Sequence, residues 1–136
     1  MEGFRPAFDA APSSPFLTEI AIGILKLRRA RERSYPNLFN DPSWDILIDL
    51  YASAGRNRLV SITSACLASV APTSTALRHI DRLIAQNLIQ RIEDARDRRR
   101  IYLTLTGRGL RLTEEFMLGL SNLIHNPSTS HNSTYD

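Results

Sequence analysis

Residues 73–105, TSTALRHIDRLIAQNLIQRIEDARDRRRIYLTL, decide the fold. From Thr73 to Gln86, Leu77, Ile80, Leu83 and Ile84 recur at helical spacing and predict one buried stripe. Asn87 stands where a helix wants a left-handed C-terminal residue. Leu88-Ile89-Gln90-Arg91-Ile92 then has strand propensity. Arg100 to Leu105 alternates strictly, with Ile101, Leu103 and Leu105 on one face and Arg100, Tyr102 and Thr104 on the other. Between these strands Asp94 to Arg100 is a polar turn rich in aspartate and arginine. The stretch predicts a helix followed by a hairpin with a basic tip.

Upstream, Ala71-Pro72 ends a short helix that carries Ala65, Cys66, Leu67 and Val70 and that Thr63 is expected to cap. Two helices joined by so tight a break give helix-turn-helix geometry. Before them, after a turn from Gly55 to Arg58, Leu59-Val60-Ser61-Ile62 suits one brief strand. Ser14-Pro15 and Asp41-Pro42 each place a capping residue before a proline at the first helical position. The first opens a helix through Phe16, Leu17, Ile20, Ile24 and Leu27 to about Arg33; the second opens one through Trp44, Leu47, Leu50 and Tyr51 to Gly55.

Downstream, Thr106 is expected to cap a last helix in which Leu110, Met117, Leu120 and Ile124, with Leu112, Phe116 and Leu123, make a wide apolar face. That face exceeds what a small domain buries alone, so part of it is expected to meet a second subunit. The fold class is therefore mainly α with a small β-hairpin wing, a winged helix-turn-helix with terminal dimerisation helices. One domain is expected over 14–125, with a DNA-binding lobe at 41–105 and dimerisation helices at 14–34 and 107–125. Residues 1–13 and 126–136 read as flexible tails.

Composition sets the class. The chain has 136 residues, enough for one domain, and 43% hydrophobic against 23% charged residues is ordinary for a globular protein. The single cysteine, Cys66, can form no internal disulfide, which suits a reducing compartment. No signal peptide and no long apolar run is evident, so a cytoplasmic location is expected. Net charge is +3, but nine arginines face four acids between Arg78 and Arg111. A second cluster, Lys26, Arg28, Arg29, Arg31 and Arg33, is opposed only by Glu32, and its place at the end of a helix also suits the helix dipole. Sixteen of the seventeen basic residues are arginine, whose planar fork suits phosphate and guanine edges.

In four places the sequence resembles the multiple-antibiotic-resistance regulator (MarR) family, over roughly residues 41–116. Ser74-Thr75 followed by Asp81-Arg82-Leu83 is similar to the family's Ser-Thr and Asp-Arg-Leu pattern, and Leu88-Ile89-x-Arg91 to its Leu-Val-x-Arg lead into the wing. Asp97-Arg98-Arg99 resembles the Asp-x-Arg motif of the wing tip, and Leu105-Thr106-x-x-Gly109 the Leu-Thr-x-x-Gly that follows. Pro72 stands where such proteins often carry a capping serine, and Asn87 where glycine is common. The resemblance implies a bacterial, DNA-associated transcription regulator.

The recognition helix points the same way on physical grounds. Opposite Leu77, Ile80 and Ile84 its face carries Ser74, Thr75, Arg78 and Arg82, with His79 and Gln86 at the edge and Thr73 at the start. Small polar residues let the helix approach a groove, and two arginines one turn apart reach base edges. At the wing, Asp97 among Arg96, Arg98, Arg99 and Arg100 disfavours phosphate, so its expected role is to hold Arg99 extended toward a minor groove. The partners expected are double-stranded DNA and a second copy of the chain. The alternative is a winged-helix interaction module that docks an acidic protein partner. Cys66 is expected in the core. His79, His125 and His131 lack ligand spacing, so no metal is expected, and no catalytic constellation or cofactor motif is visible. The sequence gives no support for a small-molecule effector.

Overall fold

The computed structural model describes residues 11, 12, 14–35 and 41–125. The expected tails fall outside these, apart from residues 11 and 12. Helix α1 (Pro15–Ser34) begins beside Ser14, whose hydroxyl accepts from the Phe16 amide at 3.1 Å. Helix α2 (Pro42–Gly55) is capped by Asp41, which accepts from the Trp44 amide at 3.3 Å, with Pro42 at the first position as its sequence requires.

Strand β1 (Val60–Ser61) runs directly into helix α3 (Ile62–Ala68). Here the cap differs from expectation. Ser61, not Thr63, accepts from the amide three residues on, Ser64, at 3.1 Å, because Ser61 is itself extended and ends the strand. Helix α4 (Thr73–Ala85) follows, then strands β2 (Ile89–Glu93) and β3 (Ile101–Leu105), and helix α5 (Gly107–His125) closes the described chain. The sheet is antiparallel in the order β1-β3-β2, with Val60 opposite Leu103 on one side of β3 and Arg91 opposite it on the other.

One core unites these elements. Ile46, Ile48 and Tyr51 of α2, Ile80 of α4, Ile89 and Leu103 of the sheet, and Met117 of α5 are almost wholly buried. Tyr51 carries its polar end into that core and donates to Glu114 Oε1 of α5 at 3.0 Å. Burial next to this carboxylate pushes the phenol well above its ordinary range. Cys66 is buried as expected, and desolvation raises its thiol. Thr104, expected on the polar face of β3, is buried because β3 is the central strand; its hydroxyl has no hydrogen-bond partner among the described residues.

Three features fix the sheet against α5. The Thr106 hydroxyl donates to the Asn87 carbonyl at 2.6 Å and accepts from the Gly109 amide at 3.0 Å, so one side chain caps α5 and holds the chain just after α4. The Thr106 amide donates to the Leu88 carbonyl at 3.1 Å. Gly109 lies so close to that carbonyl that a Cβ there would sit 1.9 Å from its oxygen, which admits glycine alone. Among the described residues no helix is long and apolar enough to cross a membrane.

Candidate nucleic-acid interface

The turn between α3 and α4 is held from within. Ser69, 1% exposed, donates through its hydroxyl to the Cys66 carbonyl at 2.7 Å and accepts from the Ala71 amide at 3.3 Å. Val70 between them has φ 59°, a left-handed conformation that a β-branched residue adopts only under constraint. Pro72 supplies no side-chain cap, so α4 starts with its first amides unoccupied by a capping group.

The buried face of α4 is Ala76, Ile80 and Leu83, with Ile84 half-buried against the core. Leu77, expected in that stripe, is 41% exposed. The reason is angular: Ala76, Ile80 and Leu83 follow the i, i+4, i+7 row, and Leu77 lies about 100° round from Ala76. Thr73, Ser74, Arg78 and Arg82 are exposed, and Thr75 is half-buried. Neither Arg78 nor Arg82 forms an ion pair among the described residues. His79 is half-buried, and its Nδ1 lies 2.6 Å from Ser43 Oγ in α2, so its ring ties α4 to α2.

The wing loop is built on two aspartates. Asp94, 7% exposed, accepts from the Arg96 amide at 2.9 Å, while its own amide donates to the Arg100 carbonyl at 3.1 Å. Asp97 accepts from the Arg99 amide at 3.1 Å and then grips the same residue's guanidinium, Oδ1 to Nε at 3.0 Å and Oδ2 to Nη2 at 3.4 Å. The Arg99 side chain nevertheless remains 92% exposed, and Arg100 Nε lies 3.9 Å from the same carboxylate. Side-chain and backbone hydrogen bonds from Arg99 hold the Asp97 carboxyl below its ordinary range. The result is a guanidinium tethered to Asp97 yet open to solvent. Arg96, Arg98 and Arg100 are exposed around it. Below the wing, Ser61, Thr63, Arg99, Arg100 and Tyr102 line an open recess of about 420 Å³.

Two further residues belong to this surface. Asp81 of α4 accepts from Arg91 Nη2 of β2 at 3.2 Å, bracing α4 against the hairpin. Asp94, like Asp81, is a carboxylate whose role depends on where the chain folds back. The basic end of α1 behaves differently: Arg28 pairs with the buried Asp45 of α2, and Arg29 acts on Asp49, whose carboxyl burial raises above its ordinary range against that attraction. Interhelical attraction to α2 carboxylates, by an ion pair for Arg28 and at longer range for Arg29, adds to the helix dipole here.

A helix-turn-helix whose second helix bares arginine, followed by a basic hairpin and flanked by long terminal helices, is a winged-helix architecture. No protein-family model and no curated protein matches the chain. Solved structures do match, and the fold is that of MarR-type proteins. S. aureus MepR in its DNA-binding conformation is 20% identical, with 87% of this chain and 82% of that chain covered at a TM-score of 0.53. A MarR cysteine-to-serine variant from E. coli complexed with operator DNA is 17% identical, with 89% of each chain covered and a TM-score of 0.53. Heme-free PefR is 21% identical, with 81% of this chain and 97% of that chain covered and a TM-score of 0.53.

Proposed function

We propose that the chain is a sequence-specific double-stranded DNA-binding transcription regulator that acts as a homodimer on an inverted repeat in the bacterial cytoplasm. The observation that carries this reading is the pairing of an α4 face bearing unpaired Arg78 and Arg82 with a wing tip whose Arg99 is aimed by Asp97. Similar folds in complex with operator DNA and with an oligodeoxyribonucleotide support it. In this reading the recognition helix, about 73–86, enters a major groove through Thr73, Ser74, Thr75, Arg78 and Arg82, with His79 at its edge. The wing, about 89–105, follows the adjoining minor groove, where Arg96, Arg98, Arg99 and Arg100 meet phosphate and the narrow-groove potential. The lobe 41–105 reads DNA, and the helices at 14–34 and 107–125 join two copies. Two-fold symmetry then sets half-sites about 10 bp apart.

The test is selection from a randomised duplex library at two salt concentrations, followed by affinity measurements on the enriched sequence. The expected result is an enriched inverted repeat and a log–log salt slope near about −5 or steeper, for six phosphates per complex. Arg78→Ala should lose about 1–3 kcal/mol and relax one base pair, whereas Arg100→Ala should weaken all sequences alike. Equal losses on specific and random DNA from both changes would overturn this division of roles. No retention at low salt would overturn the DNA reading itself in favour of an acidic protein partner.

A further inference from the structure

Leu77 is the one large apolar residue that α4 leaves open among the described residues of the proposed reading surface, 41% exposed beside Ser74, Arg78 and Asp81. It is the fifth residue of the helix, within the N-terminal turns that in a helix-turn-helix approach base edges. Its flank is held in place, because Asp81, one turn further on the same side, is tied to Arg91 of β2. In a major groove only thymine presents an apolar group, its C5-methyl, and the hydrogen-bonding groups of the other bases gain nothing from a leucine.

We infer that Leu77 is a specificity-determining residue that packs on a thymine methyl, fixing a T·A pair next to the pair that Arg78 reads. This rests on the DNA-reading function proposed above and deepens it. Arginine selects its base by hydrogen bonds, and Leu77 adds a second, purely apolar selection one residue away. Covering that methyl also takes Leu77 itself out of water, so the contact removes apolar surface on both sides.

The experiment uses the duplex selected from the randomised library, with each thymine replaced singly by deoxyuridine. Uracil keeps the pairing edge and the O4 acceptor and lacks only the methyl. For the wild-type protein one thymine per half-site should be sensitive, with affinity falling about four-fold on loss of one buried carbon. Leu77→Ala and Leu77→Asn should bind the thymine duplex correspondingly less well and show no further loss with deoxyuridine at that position. Because Leu77 lies outside the buried core, both variants should still unfold cooperatively with melting temperatures within a few degrees of the wild type, which reports that folding is intact. Deoxyuridine insensitivity of the wild type, or equal sensitivity in the variants, overturns the Leu77 assignment while leaving an enriched, Arg78-dependent repeat untouched. Failure to enrich any sequence overturns the DNA-reading function, and this inference with it.

Discussion

Asp97 places a carboxylate where phosphates would repel it, and its grip on Arg99 Nε and Nη2 gives the physical reason. A free arginine on a hairpin tip samples many rotamers, and a tether of this kind removes part of that freedom before binding. Asp97→Ala adds positive charge yet should lower affinity for the selected operator several-fold while leaving or raising affinity for random duplex, measured at the same salt. A uniform gain on both would show that the carboxylate only opposes binding. The sign of the pH effect follows from the depressed carboxyl: the tether is complete above the ordinary aspartate range and is lost as pH falls through the lowered value. Val70 carries the opposite kind of constraint. At φ 59° a valine is strained, and asparagine tolerates that conformation, so Val70→Asn should raise unfolding free energy by about 1 kcal/mol in urea titration. The Asp97–Arg99 fork was legible in the sequence because its partners are two residues apart. Asp81–Arg91 was not, since it depends on how α4 lies against β2.

At the scale of elements, caps and prolines made the helix starts readable: Asp41 and Thr106 both accept from the amide three residues on, where the sequence places them. The start of α3 is not decided by the sequence, because Ser61 and Thr63 are equally good caps in isolation and only pairing of Ser61 with Tyr102 decides between them. Leu77 departs from its expected burial for a related reason. Hydrophobic spacing admits either Ala76 or Leu77 to the stripe, and packing selects the smaller. Between α1 and α2, Arg28 neutralises Asp45, a carboxylate only 6% exposed. Arg28→Met would remove the Arg28 cation from beside that buried charge and should cost about 2–4 kcal/mol in thermal or urea unfolding; adding Asp45→Leu should recover most of the loss. A single variant as stable as the wild type would mean that Arg28 does not stabilise Asp45.

For the whole molecule, the terminal helices leave apolar surface open. Phe16 and Leu27 of α1 and Leu112, Phe116 and Leu118 of α5 are between 43% and 73% exposed. Phe116 reaches Trp44 at 4.5 Å between ring centroids, but more than half of it stays open. Sedimentation should therefore report a dimer at micromolar concentration, and Leu118→Glu should shift it to monomer and weaken operator binding more than random-duplex binding. A monomeric wild type that still selects an inverted repeat would break the link between these helices and symmetry. The locked joint of Asn87, Leu88, Thr106 and Gly109 gives this geometry a mechanical meaning. The joint bonds the end of the α4 segment to the start of α5, a shaft about 28 Å long, the length of nineteen helical residues. A 10° tilt of the shaft against a partner would swing the reading head by about 5 Å, more than the roughly 3.4 Å step between base pairs. In the proposed dimer, small rotations at the far end of α5 would thus put the two heads out of step with the grooves, and the spacing of the selected repeat would gauge the angle at which two shafts meet.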